Sequence, residues 1–544
     1  MTMKIERILV LVKQVRESSA PDALWILNPA DACAVETALR LKETGGARVT
    51  VLTMGREKAE DMLRELIARG VDEACLVTDP AYAGSDTLAT ARVLHAAANR
   101  LGPFDLILTG RRAVDGETAL TPARLAQLLG WPLITDIQTV VCFDEFICED
   151  GEMQKRLKSV FPAVLTVHEG SCTLRLKGIL GMRRAKSAVI RRLTNAELCL
   201  PPEQVGLAGS PTCVRRVTNA PESLRVTRWL HSGREIVQAL REHTAIVTTK
   251  QTKVSSISKL PGEIWVLAEE EEADSRALVA RAQALTDSPV RLLLIAPREN
   301  VLPVAENVAK RLKKGYPKAV LSLSTPFLRA LAPQVATLLE TGLTADCTDL
   351  QATDSGLLLQ IRPTFGGAQL AEILCPEARP QMALVRRGVF PDEGHVPCAV
   401  ERLAEPENGP IACLERHEGA QSTLSQAKLI VAGGLGVGSK EGFAQLAELA
   451  KCLGGEVAAT RAAVDAGYAP YRMQVGQTGL TVRPDVYLTF GVSGAIQHVL
   501  GMNRSGTVIS INNDPKAPVF HYSDFGLVLD WKQALNEIKE ELES

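Results

Sequence analysis

The chain has 544 residues, enough at roughly 100–200 residues per domain for about three to five domains. Its 61 Lys and Arg against 63 Asp and Glu leave no polybasic nucleic-acid surface and no dominant acidic tail. A 46% hydrophobic and 23% charged composition is that of a globular chain with a large core, and no apolar run approaches the ~20 residues of a membrane span. Nucleic-acid and transmembrane readings drop out.

Twelve cysteines include no CxxC pair, and eight histidines include no HxxxH or HExxH pair. A disulfide scaffold and a structural zinc site therefore have no sequence support, and the expectation is a reduced, soluble, cytoplasmic chain without metal chemistry.

From the amino terminus, Arg7–Val12, Arg48–Met54, Glu73–Val77 and Asp105–Thr109 read as buried strands alternating with helical patterns such as Ala59–Arg69 and Thr87–Arg100. That rhythm predicts βαβ units and a parallel sheet. Val160–His168 continues it, and Pro201, Pro202, Gly206, Gly209 and Pro211 end it. An arm follows with a helix at Arg234–Arg241, then a polar linker, Thr248–Lys259, closed by Pro261-Gly262. The rhythm restarts at Glu263–Ala268, Val290–Ile295 and Ala319–Leu323, and again at Lys428–Ala432, Val486–Phe490, Thr507–Asn512 and Leu527–Leu529. The expected architecture is α/β, with three Rossmann/flavodoxin-like parallel-sheet domains at 1–200, 262–400 and 425–544. An arm and linker fill 201–261, and a hinge, marked by Glu405-Pro406 and Gly409-Pro410, fills 401–424.

The polar motifs concentrate in the last domain. Gly433-Gly434-Leu435-Gly436-Val437-Gly438 is a buried strand running into a glycine-rich turn, where backbone amides can approach a phosphate. Glu456, some twenty residues on, stands at the spacing of a Rossmann ribose acid and keeps a nicotinamide reading open. Thr460-Arg461 and Gln474-Val475-Gly476-Gln477-Thr478 place a cation, amides and a hydroxyl in loops. Ser493-Gly494-Ala495-Ile496-Gln497-His498 opens a helix after a strand, and Asn512-Asn513-Asp514 ends another strand. Such groups suit a polar heterocycle and its pyrophosphate.

Taken in order, TRAAVDAG, QVGQTG, GVSGAIQH and INNDPKAPVF resemble the FAD-binding domain of the electron-transfer flavoprotein α subunit. Thr341–Thr348, Arg362-Pro-Thr-Phe365-Gly366-Gly367 and Arg379–Arg386 resemble that subunit's first domain. Residues 1–240 are similar to the β subunit through Val12-Lys13-Gln14-Val15, Asn28-Pro-Ala-Asp31, Gly84-Ser-Asp86-Thr87 and Asp115-Gly116-Glu117-Thr118-Ala119. The resemblance implies a fused electron carrier, β-like part first. Its FAD would be lined by Thr460, Val475 to Thr478, Ser493 to His498, Asn512 and Asp530, with Arg461 and His498 near the isoalloxazine ring. The family's GGRG reads Gly433-Gly434-Leu435-Gly436 here, one arginine fewer.

The β-like part implies a second nucleotide at Asn28, Asp31, Asp86, Thr87, Asp115, Gly116, Glu117 and Thr118. The D-G-E-T-A run favours a second FAD, as in electron-bifurcating members, over the AMP of conventional ones. Arg16-Glu17 and Leu120-Thr121-Pro122 depart from that pattern. Leu174–Arg184 resembles a partner loop with Leu176, Ile179 and Leu180 as apolar anchors, although the usual P-R-Y element is missing. Implied partners are a flavin dehydrogenase such as acyl-CoA dehydrogenase, as in fatty acid β-oxidation, or NADH as donor. A quinone oxidoreductase or ferredoxin would be the acceptor. No covalent nucleophile is expected, and domain motion would act through the 401–424 hinge. The competing readings are a nicotinamide-dependent oxidoreductase using Glu456 and a redox-inert nucleotide-binding module.

Overall fold

The computed structural model describes residues 5–17, 23–142, 144–149, 153–219, 225–244, 258–365, 369–392, 394, 397–403, 409–418, 424, 427–476, 479–480, 482–503 and 505–543. They form two compact units. The first takes Met1–Thr218, Ser256–Phe365 and Gln369–Gly419, and the second takes the remainder, mainly Asn219–Ser255 and Ala420–Ser544. The linker residues 245–257 and the breaker Glu405-Pro406 lie outside the described residues.

The first unit holds two large sheets. Arg7–Leu11, Arg48–Met54, Glu73–Val77, Leu106–Gly110 and Ala163–Val167 are almost wholly buried, which a parallel sheet covered by helices on both faces requires of its strands. Arg7–Leu11 pairs in parallel with Arg48–Met54 on one side and Leu106–Gly110 on the other, so the chain order reverses between the two neighbours. At such a reversal the crevice beyond the strand ends is where open α/β sheets take ligands. Beyond Leu133–Cys142 the sheet turns antiparallel through Glu145–Glu149, Met153–Ser159 and Ile411–Glu418. Part of the segment 401–424, expected as a hinge, takes up strand structure. Arg402 ends a strand on the second sheet and Ile411–Glu418 pairs with Met153–Ser159, so inter-strand hydrogen bonds fix both segments within the first unit.

The second sheet runs Leu343–Cys347, Gln381–Val385, Ala319–Leu323, Ile264–Ala268, Val290–Leu294, Ala399–Arg402, all parallel. A four-stranded sheet stands beside it in the order Cys213–Asn219, Gln369–Leu374, Leu358–Thr364, Asp349–Ala352. Its pairs Asp349–Ala352 with Leu358–Thr364, and Leu358–Thr364 with Gln369–Leu374, are antiparallel. The arm expected at 213 thus begins as a strand of this small sheet.

Helix Thr121–Leu129 of the first half packs on helix Pro326–Leu338 of the second, joining the two large sheets in one hydrophobic core. Both helices are cleanly delimited. Pro122 and Gly130, the latter in the left-handed region, bound the first; Thr325, whose hydroxyl accepts from the Leu328 amide, caps the second. Ala123, Ala126, Ala332 and Ala336 are buried there, and small side chains allow close approach. Arg124 is fully buried in this seam, reaching Thr337 Oγ1 and the Thr341 carbonyl only at 3.4 Å each, with Nε unpartnered. Burial pushes its pKa down to about 10.

The second unit is one six-stranded parallel sheet: Arg228–Leu230, Phe525–Val528, Thr507–Asn512, Val486–Phe490, Leu429–Gly433, Glu456–Ala459. The arm supplies its edge strand, and helix Gly233–Thr244 packs on Trp531–Glu543. Gly233 makes that packing possible, because a Cβ there would stand 2.7 Å from the Ala534 carbonyl oxygen.

Arg124→Met keeps the volume and removes a poorly bonded buried charge, so it is expected to leave thermal stability unchanged or to raise it. Arg124→Ala leaves a cavity and is expected to lose about 2–4 kcal/mol. Urea and thermal unfolding of both variants check this, and a large loss in the methionine variant would show the two long hydrogen bonds to be strong ones.

Candidate functional site

At the reversal point of the first sheet the structure has a cavity of about 560 Å³, within the range of about 300–1,000 Å³ typical of small-molecule sites. Its floor is the carboxyl ends of strands (Leu11, Thr109, Gly110) and the loop Arg111–Pro122. Its roof is built from alternate residues of the small sheet: Thr212 and Val214, Arg362 and Thr364, Ala371 and Ile373. Side chains alternate between faces along a strand, so this parity places one whole face of that sheet against the cavity. Leu343, Thr344 and Ala345 close another side.

Six of the eight residues expected to hold a second nucleotide line this space: Asp31, Asp86, Thr87, Gly116, Glu117 and Thr118. Asn28 and Asp115 stand behind the wall. Asn28 is fully buried; its Nδ2 donates to the Arg112 carbonyl at 2.9 Å and its Oδ1 accepts from the Val114 amide at 3.2 Å, which shapes the loop. Asp115 accepts from the Gly116 amide and pairs with Lys13 at 2.7 Å. Glu117 and Ala119 both take the left-handed conformation, rare and strained for residues with a Cβ. That turn presents Thr118 to the cavity.

Asp86 lines the cavity but its oxygens are already engaged. Oδ1 caps helix Thr87–Leu101 by accepting from Leu88 and Ala89, and Oδ2 accepts from the Thr212 amide and, at 2.7 Å, its hydroxyl. Its part is to tie the arm to the first sheet. Asp31 accepts from the Lys13 amide at 2.7 Å and the Gly110 amide at 3.0 Å. Burial nevertheless pushes its carboxyl up to about 7. Only glycine fits at 110, since a Cβ would stand 2.3 Å from Asp31 Oδ1. Below the loop, Asp136 bridges His168 Nδ1 at 2.7 Å and Arg111 Nη1 at 2.6 Å. Burial alone would raise its pKa, and these two partners hold it below the usual value.

Sequence reading missed the roof. Arg362 and Thr364 belong to a quoted motif, but only the alternation of polar residues in an otherwise apolar strand, Gln360 and Arg362, hinted that they face inward. Nothing local indicated that strands some 90 to 250 residues away in sequence would cover a site on the first sheet.

In the second unit the chain order reverses between Leu429–Gly433 and Val486–Phe490, and the turns after these strands touch. A Cβ on Gly434 would stand 2.1 Å from the Gly491 carbonyl oxygen, and one on Gly494 would stand 2.1 Å from the Val519 nitrogen. Glycine at these positions lets the two turns pack directly on one another at the carboxyl edge, beside the crevice where open α/β sheets take ligands. Around it stand Thr460, Val475, Gly476, Ser493 to Gln497, Asn512 and Asp530, each in or just beyond a strand's carboxyl end or in the loop beside it. Ser493, Ala495, Ile496 and Gln497 are exposed there. Arg461, 57% exposed, makes a 3.5 Å contact with Asp465 as its one ion pair among the described residues, which leaves its guanidinium available to a ligand. Asn512 Nδ2 donates to the Val492 carbonyl and Asp530 caps the last helix, which makes both positioning residues of the crevice. Gln477 and Thr478 lie outside the described residues.

One expectation is corrected. Glu456 begins its strand, beside Ile430 and at the edge opposite the glycine turn, so it cannot serve as a ribose acid. His498 is buried: Nδ1 donates to the Val475 carbonyl at 2.9 Å and Nε2 accepts from the Tyr487 hydroxyl at 3.2 Å. With both nitrogens engaged, it supports the 475–476 backbone. Burial pushes its pKa down to about 4, so it is neutral near pH 7.

On the first unit, Leu176, Ile179 and Leu180 are 91%, 71% and 79% exposed, beside Lys177 and Arg183. The helix that carries Ile179 and Leu180, Ile179–Ser187, is seated firmly. Arg184 donates to the Ile67 and Val71 carbonyls, Arg64 donates to those of Ala185 and Ala188, and Gly181 lies against the Ala68 carbonyl.

Comparison with known proteins gives two family matches. The electron transfer flavoprotein domain matches residues 20–198 and 297–408, and the electron transfer flavoprotein FAD-binding domain matches 423–503. The electron transfer flavoprotein subunit alpha of Thermoanaerobacterium thermosaccharolyticum is 43% identical over 246 residues, 44% of this chain and 74% of that protein. Protein FixB of Clostridium saccharobutylicum is 48% identical over 228 residues, 40% of this chain and 68% of its own length. A subunit of Acetobacterium woodii lactate dehydrogenase (NAD(+),ferredoxin), LctC, is 36% identical over 262 residues, 46% of this chain and 61% of that protein.

The state of His498 carries a pH signature. Unfolded, its imidazole takes up a proton near pH 6.5; folded, it refuses one until about pH 4. This group therefore removes stability as pH falls from about 6.5 to 4, by up to ~3 kcal/mol. Hydrogen-exchange protection across residues 486–503, referred to the free-peptide rate at each pH, is expected to fall over that window in the wild type, and to depend less on pH in His498→Gln, which is less protected at pH 7.

Proposed function

The chain belongs to the electron transfer flavoprotein family, and from that premise we propose that it is an electron carrier with the β-like and α-like parts in one polypeptide. It takes electrons from a flavin dehydrogenase of the acyl-CoA dehydrogenase type, or from NADH, and passes them to a quinone oxidoreductase or a ferredoxin. The observation that carries the reading is the reversal point of the second unit, where the glycine turns after Leu429–Gly433 and Val486–Phe490 pack together at the carboxyl edge of the sheet beside the exposed Ser493, Ala495, Ile496 and Gln497. FAD bound there supplies one- and two-electron chemistry. Arg461, with its lightly held guanidinium, supplies positive charge beside the ring and so raises the potential at which electrons are accepted. Ser493 and Gln497 offer exposed polar groups on the opposite side of the crevice from Thr460.

The cavity of the first unit is proposed to hold the second nucleotide. A second FAD fits the D-G-E-T-A run and makes electron bifurcation from NADH possible. A relative whose name joins NAD(+) and ferredoxin supports the same reading. The nicotinamide-dependent oxidoreductase reading loses its ribose acid with Glu456. Partner recognition is assigned to Leu176, Ile179 and Leu180, since three large apolar side chains held in solvent on a firmly seated helix and the segment just before it favour a protein partner.

Acid release and chromatography of the purified protein's nucleotides tests the central reading, with two FAD per chain as the expected result. One FAD and one AMP would replace bifurcation by a conventional single-electron shuttle, and no flavin after reconstitution would leave a redox-inert module. For the partner surface, Leu176→Ser with Leu180→Ser is expected to raise KM for the electron-donating dehydrogenase about tenfold or more with flavin content unchanged. An unchanged KM would remove these residues from the interface.

A further inference from the structure

One guanidinium in the first unit is left without the partner that its burial demands. Arg362 is 2% exposed, and its Nε and Nη2 have no hydrogen-bond partner among the described residues. An arginine cannot shed its proton to escape a dry environment, so a buried guanidinium persists where an anion meets it. The nearby carboxylates are already engaged or do not reach. Asp346 is held in a two-point pair by Arg386, with Nε to Oδ1 at 2.7 Å and Nη2 to Oδ2. Glu117 acts on Arg362 only through its field, and Arg386 opposes that attraction.

The strand decides where the guanidinium points. Arg362 is paired across the ladder with Ala371, and both line the cavity with Thr364 and Ile373 on one face of the small sheet. The small partner leaves room above Arg362. Across the cavity stands Thr118, which offers a hydroxyl. A planar fork facing a hydroxyl suits a phosphate group, whose oxygens accept from both sides at once.

We propose that Arg362, carried by the α-like part of the chain, is the phosphate ligand of the nucleotide bound in the β-like part, so that one site is completed by residues of both. This rests on the reading that the cavity holds a nucleotide. It adds a residue that neither the β-like motifs nor the α-like FAD motifs supply, and it gives the cavity a preference for phosphorylated ligands over the free nucleoside.

The test uses the full chain, stripped of nucleotide, as wild type, Arg362→Met and Arg362→Lys, each titrated by calorimetry with AMP, with FAD and with adenosine. The methionine variant is expected to lose about tenfold or more in affinity for AMP and for the second equivalent of FAD, with lysine intermediate. Adenosine, which has no phosphate, is expected to bind wild type and both variants alike. Without ligand, the methionine variant should melt at the wild-type temperature or above it, because an unpartnered buried charge has been removed. A methionine variant that binds AMP within about twofold of wild type, or that loses adenosine affinity equally, overturns the assignment of Arg362 to the phosphate. If the wild type takes up neither AMP nor a second FAD, the nucleotide reading of the cavity falls, and the assignment falls with it.

Discussion

Close packing of helix Thr121–Leu129 on helix Pro326–Leu338 sets where the walls of the first unit's cavity stand. Ala123 and Ala126 on one helix and Ala332 and Ala336 on the other are buried in the shared core. The loop Arg111–Leu120, with its two left-handed residues, feeds directly into the first helix. The strand Leu343–Cys347 follows shortly after the second. Fixing the helix pair therefore fixes the distance between Gly116–Thr118 and Leu343–Ala345, which line opposite sides of one space. Close-packed interiors do not deform continuously, so a shift of the seam would move both walls together.

Around that space the structure separates residues that build a site from residues that can serve it. Asn28 and Asp86 carry motif positions, yet their polar atoms are spent on the Arg112–Val114 loop and on the helix cap and arm. Asp31 is intermediate: two backbone amides hold it, and burial brings its ionisation close to neutral pH. Arg362 is the opposite case, a charge with donors to spare in a wall of the cavity. Counting satisfied hydrogen bonds, more than motif membership, tells these roles apart.

The second unit solves a related problem with backbone. Its parallel sheet reverses between Leu429–Gly433 and Val486–Phe490, and glycines let the two turns meet where any side chain would intrude. His498, a motif residue, sits beneath this edge as a neutral strut between Tyr487 and the Val475 carbonyl. Its contribution is to hold the loop that borders the crevice.

Strand and helix identity followed from the sequence, because buried parallel strands are continuous apolar runs and their helices carry a period near 3.6. The same is true of the family, since short ordered motifs such as TRAAVDAG and GVSGAIQH are local in the chain. Tertiary structure alone decided what is non-local. It made 411–418 a strand, because the distant strand Met153–Ser159 supplied its hydrogen bonds. It set Glu456 at the wrong end of its strand for a ribose and buried both nitrogens of His498. It also laid the small sheet over the first sheet's cavity, with Arg362 facing inward. A sequence records which residues are polar, but whether a polar atom is satisfied depends on neighbours that only folding brings within reach.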